Sequence, residues 1–205
     1  MTIRSTLSVA AVAVTLTQAS SAAMVTFTNA SLWTFFATSR GATTAAETFN
    51  SYSGNYAGGA TGSVGGIQWQ ANAPGGVVAG AGFLATQSSD TVLTFSMSPS
   101  VQGVAGNFFA SDGGPSFNAV PAIISVVLND GSSYIGFAAS AADFVGFYST
   151  GAAISSVSVS VAGNSFTGSY YATADNLYFA AVPAPGAAAL MAAAGMVVGS
   201  SRRRR

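Results

Sequence analysis

The run Ile123-Ile-Ser-Val-Val-Leu128, continued by Asn129-Asp-Gly131 and Ser132-Ser-Tyr-Ile-Gly-Phe137, decides the fold class of this chain. β-Branched and aromatic residues dominate both runs, and such residues suit pleated strands. The Asp-Gly pair between them favours a tight turn with positive φ. We therefore predict an antiparallel hairpin over residues 123–137.

The rest of residues 24–181 repeats this short-strand pattern. In Thr91–Met97 and Ser156–Val161 apolar residues alternate with Ser and Thr, which buries one face of a strand and hydrates the other. Residues 54–82 are rich in glycine and are predicted to form loops around one strand at Ile67-Gln-Trp69. No part of residues 24–181 shows a sustained helical period of 3.6. Further strands are predicted at Val25–Thr28, Gly66–Ala71, Val101–Ala110, Phe144–Ser149 and Asn176–Ala181. These runs predict an all-β domain, an antiparallel β-sandwich of jelly-roll-like type.

Composition excludes several kinds of chemistry. The chain has 205 residues, of which 50% are hydrophobic and only 6% charged, whereas soluble domains usually carry about a quarter charged residues. It contains no His, Cys or Lys. This excludes Ser–His and Cys–His catalysis, lysine Schiff bases, and zinc sites built on thiolate or imidazole. Ser and Thr account for 37 of the 158 residues from 24 to 181 and supply the polar faces that charged residues supply elsewhere.

The charges of the chain are unevenly placed. Residues 24–181 hold one arginine, Arg40, against six acidic residues, although the formal net charge of the whole chain is zero. A negative surface repels phosphate backbones, so we expect no nucleic acid as a partner.

The first 23 residues have the pattern of a secretory signal peptide. Arg4 precedes an apolar stretch from Leu7 to Leu16, and small residues follow up to Ala23. This order of charged, apolar and small-residue segments is typical of a cleaved leader. We predict cleavage between Ala23 and Met24.

Residues 182–205 form a second distinct segment. Val182-Pro-Ala-Pro185 is followed by an apolar stretch rich in Ala and by the terminal Arg202, Arg203, Arg204 and Arg205. Pro183 and Pro185 disfavour a helix before them, and Ala and Leu favour one after them. We predict a single short transmembrane helix whose arginines remain cytoplasmic by the positive-inside rule.

This tail resembles the PEP-CTERM sorting signal. The resemblance rests on Val182, Pro183 and Pro185 and on Arg202 to Arg205, while Ala184 stands where the name-giving motif has Glu. Membership would imply that an exosortase-type membrane protease recognises and removes the tail. It would also imply delivery to the cell surface or to an extracellular exopolysaccharide matrix.

Carboxylates and amides are the remaining candidates for catalysis or metal binding. A glycosidase needs two carboxylates across a cleft, but no spacing selects a pair among Glu47, Asp112, Asp130, Asp143 and Asp175. Asp130 and Asp143 fit turns. Calcium takes hard oxygen ligands, and we consider a site made of Glu47, Asp175 and Asn176, on the expectation that the first and last strands lie side by side.

Aromatic side chains are candidates for stacking on sugars or for the core. They are Trp33, Trp69, Tyr52, Tyr56, Tyr134, Tyr170 and Tyr171. Because adjacent strand residues face opposite sides, at least one ring of the Tyr170–Tyr171 pair should face outward.

We expect three segments: a signal peptide over 1–23, an extracellular β-domain over 24–181, and a sorting signal over 182–205. The expected function is that of an exported, non-catalytic structural or adhesive protein of the bacterial envelope or exopolysaccharide matrix, without a required cofactor. One alternative is a carbohydrate-binding module, with or without stabilising calcium, which a concave sheet face with outward rings and an acidic rim would favour. The other is a polysaccharide-degrading enzyme, which two carboxylates across a cleft would favour.

Overall fold

The computed structural model describes residues 23–112, 119–162 and 169–183. Within these ranges the chain forms strands and one helix, α1 (Ala30–Ser39). The strands are β1 (Met24–Phe27), β2 (Thr43–Glu47), β3 (Gly54–Tyr56), β4 (Ala60–Val64), β5 (Ile67–Asn72), β6 (Val77–Gly80), β7 (Phe83–Thr86), β8 (Leu93–Met97), β9 (Val101–Ser111), β10 (Ala119–Val120), β11 (Ala122–Leu128), β12 (Ser133–Ala138), β13 (Phe144–Ser149), β14 (Ile154–Val161) and β15 (Tyr171–Ala181).

The strands pair into two antiparallel sheets in the described part of the chain. The nine-stranded sheet has the order β1-β13-β9-β15-β7-β6-β3, with β10 beside β9 and β2 beside β15. The six-stranded sheet has the order β12-β11-β14-β8-β5-β4. Both sheets contribute to one core, which includes Trp69, Phe95, Ile124 and Val157 from the six-stranded sheet and Leu84, Val104, Phe108, Phe147 and Phe179 from the nine-stranded sheet. The all-β prediction is confirmed, and the two sheets around one core are consistent with a β-sandwich.

The hairpin predicted from Asp-Gly is confirmed. Strands β11 and β12 pair antiparallel, with Ile123 opposite Phe137. Gly131 donates its N–H to the Leu128 carbonyl at 3.0 Å, and Leu128 donates to the Ser132 carbonyl at 2.9 Å. Gly131 has a φ of 85°. A three-residue loop that ends in a left-handed glycine is a common hairpin connection.

The prediction of loops around a single strand over residues 54–82 is wrong. Strands β3, β4, β5 and β6 all lie there, with β3 paired to β6 and β4 paired to β5. The added strands have only three to five residues, too few to show a clear alternation. Pairing with neighbouring strands therefore decides their structure.

The described part of residues 24–181 also contains a helix, α1, which the lack of a sustained period of 3.6 did not indicate. Helix α1 reads Ala-Ser-Leu-Trp-Thr-Phe-Phe-Ala-Thr-Ser and carries apolar residues around most of its circumference. A clear apolar stripe is the sequence feature that identifies a surface helix. Helix α1 lacks one, because apolar residues occupy its exposed side, with Leu32 and Phe35, as well as its buried side, with Trp33 and Ala37.

Local capping motifs delimit α1. The Asn29 side chain accepts a hydrogen bond from the Leu32 N–H at 3.0 Å. At the other end Gly41, with a φ of 77°, donates to the Thr38 carbonyl, and Ala42 donates to the Ala37 carbonyl. This pair of bonds with a left-handed glycine is a Schellman motif, which satisfies the last carbonyls of the helix.

Helix α1 covers the face of the nine-stranded sheet that points away from the shared core. Trp33 is fully buried and donates its indole N–H to the Phe147 carbonyl at 3.1 Å. Two glycines make room for the ring, because a Cβ at Gly103 would lie 3.0 Å from the Trp33 side chain and one at Gly146 would lie 2.7 Å from it. The central strands of this sheet are thus buried on both faces.

Removal of the Asn29 cap should destabilise the protein measurably. We expect Asn29→Ala to lower the free energy of unfolding by about 0.5–2 kcal/mol, because the Leu32 N–H loses its acceptor. Asn29→Asp keeps an acceptor oxygen and should stay close to wild type. Urea unfolding of the three proteins measures the difference, and equal losses in both variants would contradict a capping role.

Candidate functional site

The six-stranded sheet exposes an uncharged polar surface on the side away from the core. In β5 the residues Ile67, Trp69 and Ala71 are buried, whereas Gln68, Gln70 and Asn72 between them are exposed. The period of two along a strand separates these two sets.

Neighbouring strands continue this surface in register. Gln70 lies opposite Ser96 on β8, and Ser96 lies opposite Ser156 on β14. One row further along, the hydroxyls of Thr94 and Ser158 are hydrogen-bonded at 3.0 Å. Cross-strand pairs of this kind stabilise a sheet and leave hydroxyl and amide groups facing water.

We call this surface the polar face. Its members alternate with buried residues along four strands and carry only hydroxyl or amide groups: Thr61, Ser63, Gln68, Gln70, Asn72, Thr94, Ser96, Ser156, Ser158 and Ser160. Apolar side chains replace polar ones toward the β12 edge of the same sheet, where Ile135 and Phe137 are 74% and 59% exposed.

A groove of about 700 Å³ lies at the β4–β5–β8 end of the polar face. Its lining includes Thr61, Ser63, Gln68, Gln70 and Ser96, and none of its lining residues is charged. The volume is in the range of small-molecule sites, about 300–1,000 Å³. The amides and hydroxyls offer both donors and acceptors to a ligand.

Two residues in the lining of this groove carry buried polar atoms without a hydrogen-bond partner among the described residues. They are the indole Nε1 of Trp69 and the Oγ of Ser98. A buried donor or acceptor without a partner costs about 1–3 kcal/mol. The Trp69 indole lies on the core side of β5, because Trp69 alternates with the exposed Gln68 and Gln70 along the strand.

The aromatic side chains are mostly core residues rather than a surface for stacking. Trp33 and Trp69 are buried. The centroid of the Trp69 ring lies 5.5 Å from that of Tyr52 and 5.6 Å from that of Phe49. Tyr56 and Tyr134 also pack against the core. Tyr170 and Tyr171 are both half-buried. Trp69 is thus the only aromatic residue in the groove lining, and its ring is covered.

Asp130 and Asp143 are turn residues, as predicted. The Asp130 carboxylate accepts hydrogen bonds from the Ser132 hydroxyl and N–H, and these bonds lower its pKa. The Asp143 carboxylate accepts from the N–H of Ala139 and from the hydroxyl and N–H of Ser140, which lowers its pKa.

The three residues considered for calcium lie on neighbouring strands. Strand β2 pairs with β15, and Glu47 is opposite Leu177, next to Asn176 and Asp175. Asn176 has a φ of 53° at a point where the register of β15 on β9 shifts. Glu47 accepts a hydrogen bond from the Phe49 N–H at 3.0 Å. Within the described ranges no three His, Cys, Asp or Glu residues group as metal ligands.

Burial raises the pKa of Asp175 above its ordinary value of 3.8, although an N–H bond from Asn176 lowers it in part. Well below pH 3.8 the Asp175 side chain is neutral in both the folded and the unfolded state, and as the pH rises the folded protein must hold a partly buried carboxylate. We therefore expect the melting temperature of Asp175→Asn relative to wild type to increase from pH 3 to pH 7. Calorimetry over this range measures it, and a constant difference would contradict the burial effect.

Asp143→Asn provides a control with the opposite pH dependence. Because hydrogen bonds lower the pKa of Asp143, its carboxylate stabilises the folded state above the unfolded pKa, and that stabilisation is lost as the pH falls. The melting temperature of Asp143→Asn should lie furthest below that of wild type at pH 7, and the difference should shrink toward pH 3.

The structure describes only part of the two terminal segments. Met24 begins β1, and the Ala23 carbonyl accepts hydrogen bonds from the Thr150 N–H and hydroxyl. Val182 donates its N–H to the Ser100 carbonyl at 3.2 Å, and Pro183 is exposed. Residues 1–22, Ala184, Pro185, the predicted transmembrane helix and Arg202 to Arg205 lie outside the described residues. Among the residues that are described, none belongs to a helix long and apolar enough to cross a bilayer.

The groove residues were not identified from the sequence. The alternation Ile-Gln-Trp-Gln-Ala-Asn over 67–72 was available as a signal, and a strand over Gly66–Ala71 was predicted, but the exposed polar face that its glutamines join was not inferred. Which strands lie beside β5, and hence which hydroxyls join Gln68 and Gln70, depends on pairing between segments distant in sequence.

Comparison of the chain with models of known protein families and with curated proteins gives no match.

Proposed function

We propose that this chain is the precursor of an exported structural or adhesive protein of a bacterial envelope or exopolysaccharide matrix, with no catalytic role. The observation that carries the proposal is the polar face. It spreads uncharged hydroxyl and amide groups over four strands of one sheet. Such groups exchange hydrogen bonds with hydrated polymers, and uncharged contacts depend little on ionic strength.

Export is proposed to proceed through a signal peptide over residues 1–23. In support, β1 begins at Met24, directly after the expected cleavage site. A cut there would remove from the described fold only Ala23, whose carbonyl accepts from Thr150.

The segment 182–205 is proposed to act as a PEP-CTERM-like sorting signal. It would hold the precursor in the membrane through a single transmembrane helix until an exosortase-type protease removes it. In support, β15 ends at Ala181, so the motif that starts at Val182 follows the last strand directly. Pro183 is exposed, as a segment recognised by another protein would need to be.

We also propose a jelly-roll-like connection between the two sheets. In support, the chain crosses repeatedly from one sheet to the other: β8 is in the six-stranded sheet, β9 in the nine-stranded sheet, β11 in the former, β13 in the latter, β14 in the former and β15 in the latter. Such crossing is characteristic of double-sheet all-β folds.

A carbohydrate-binding module is the second candidate function. The groove at the end of the polar face supports it, because the clustered amide and hydroxyl groups in its lining offer both donors and acceptors to a sugar. Stabilisation by calcium belongs to this candidate, and the pairing of β2 with β15, which brings Glu47 next to Asn176, is the observation in its favour.

Mass spectrometry of the exported protein tests the primary proposal. We expect an N-terminus at Met24 and the absence of Arg202 to Arg205. Replacing the four arginines by glutamine should leave the N-terminus unchanged and yield a protein that retains its tail. An exported wild-type protein that still ends in Arg205 would contradict tail removal, and one that still begins with Met1 would contradict the signal peptide.

A further inference from the structure

The outward side of α1 carries two large apolar side chains that the described part of the chain leaves largely uncovered. Leu32 is 63% exposed and Phe35 is 72% exposed, and a spacing of three residues points both side chains the same way from the helix. No residue of α1 is charged. A helix that is apolar on both sides is typical of a position between two apolar surroundings, and the nine-stranded sheet supplies only one of them.

The chain leaves the described domain beside this helix. A short turn joins α1 to β2, whose Thr43 is paired with Ala181, the last residue of β15. The Thr43 hydroxyl donates to the Ala181 carbonyl at 3.3 Å. Val182 packs against the cluster that contains Trp33 and Ala37 from the buried side of α1. The C-terminal end of α1 and the point where the chain leaves the domain are therefore neighbours.

Three residues separate this point from the apolar stretch that we propose as the membrane anchor. They are Pro183, Ala184 and Pro185. A proline-rich segment extends by about 3.1 Å per residue, so the anchor begins within about 10 Å of Val182. A bilayer that holds the anchor is therefore within reach of the outward side of α1.

The charge next to α1 suits a phospholipid surface. Arg40, the one arginine of residues 24–181, follows the helix directly and is exposed. Its guanidinium carbon lies 5.0 Å from the centroid of the Phe36 ring. Phe35 precedes Arg40 by five residues, about 7.5 Å along the helix axis. Apolar side chains close to a cation are the combination through which surface helices bind bilayers that contain anionic lipids.

We propose that the outward side of α1 contacts the bilayer in the anchored precursor, with Leu32 and Phe35 among the lipids and Arg40 at the phosphate headgroups. The inference rests on the proposed function, because it takes the segment after Pro185 as the anchor. The polar face belongs to the six-stranded sheet, on the other side of the shared core from α1. Contact through α1 therefore turns the polar face away from the membrane.

Quenching of a single fluorophore by lipids tests this contact. The chain has no cysteine, so Ser31→Cys, one turn before Phe35, and Ser96→Cys on the polar face each carry one bimane label at an exposed position. The full chain with its tail is reconstituted into anionic vesicles whose acyl chains are brominated. Because a surface helix sinks about 5–10 Å into the bilayer, the Ser31→Cys label should lose about half of its emission relative to unbrominated vesicles. The Ser96→Cys label should lose almost none.

Two double variants separate the contribution of α1 from that of exposed apolar residues in general. Leu32→Ser/Phe35→Ser should abolish most of the quenching of the Ser31→Cys label. Ile135→Ser/Phe137→Ser removes two similarly exposed apolar residues at the β12 edge and should leave this quenching unchanged. All four residues are exposed, so both variants should fold.

Flotation of the vesicles distinguishes failure of the contact from failure of the anchor. A chain that floats with the vesicles, but whose Ser31→Cys label is quenched no more than the Ser96→Cys label, would overturn the inference and leave the anchor intact. A Ser31→Cys label that is shielded from water without being quenched would show that protein covers α1, and would overturn it too, as would quenching that survives Leu32→Ser/Phe35→Ser. A chain that does not float would contradict both the proposed anchor and the contact.

Discussion

Replacement of Trp33 by alanine is expected to lower the free energy of unfolding by about 3–5 kcal/mol, the range for truncation of large buried aromatic residues. The ring is fully buried between α1 and the nine-stranded sheet, above Gly103 and Gly146. Because those glycines have no side chains that could fill the space, the cavity should collapse poorly. The Phe147 carbonyl also loses its indole donor.

Phe35→Ala is the matched control on the same helix. Phe35 is 72% exposed, so its truncation should change stability by no more than about 0.5 kcal/mol. Urea unfolding of both variants gives the comparison. Similar losses for the two variants would mean that α1 does not pack through Trp33.

The second large effect is expected from Gly62→Ala in β4. An added Cβ would overlap the Trp69 ring and the Tyr52 hydroxyl. Trp69 is held in turn by Phe49 and Phe95, so it has little room to move. We expect a loss of about 1–3 kcal/mol, the usual range for overpacking of a core.

Gly80→Ala in β6 is the corresponding control, since a Cβ at Gly80 would meet no atom within 4 Å. Alanine at a position with ordinary φ reduces the freedom of the unfolded chain, so this variant should be neutral or more stable by up to about 1 kcal/mol. Thermal unfolding distinguishes the two, and a Gly62→Ala protein as stable as Gly80→Ala would contradict the packing of Trp69 against β4.

The sequence was most informative where a strand carries enough residues to show its period. Strand β14 alternates Val and Ser over Ser156–Val161, and the β11–β12 hairpin has its Asp-Gly turn. Both features are local, and both were predicted. Strands such as β3, of three residues, are stabilised by pairing with distant segments and leave no comparable pattern.

Helix α1 was missed for a different reason. Its interior has no clear apolar stripe, but its boundaries carried readable signals in Asn29 and Gly41, at the cap positions that these residue types favour. Weighing caps together with periodicity would have identified the helix. The groove was not accessible in this way, because β4, β5 and β8 are brought together only by the order of strands in the sheet.

A cysteine accessibility experiment on intact cells tests most directly whether the polar face is displayed outside the cell. The chain has no cysteine of its own, so Ser96→Cys on the polar face and Ala71→Cys in the core each introduce a single thiol, the first exposed and the second buried. With a membrane-impermeant maleimide we expect Ser96→Cys to react on intact cells and Ala71→Cys to react only after unfolding. A Ser96→Cys protein that is labelled only after the cells are lysed would contradict display of this face at the cell surface.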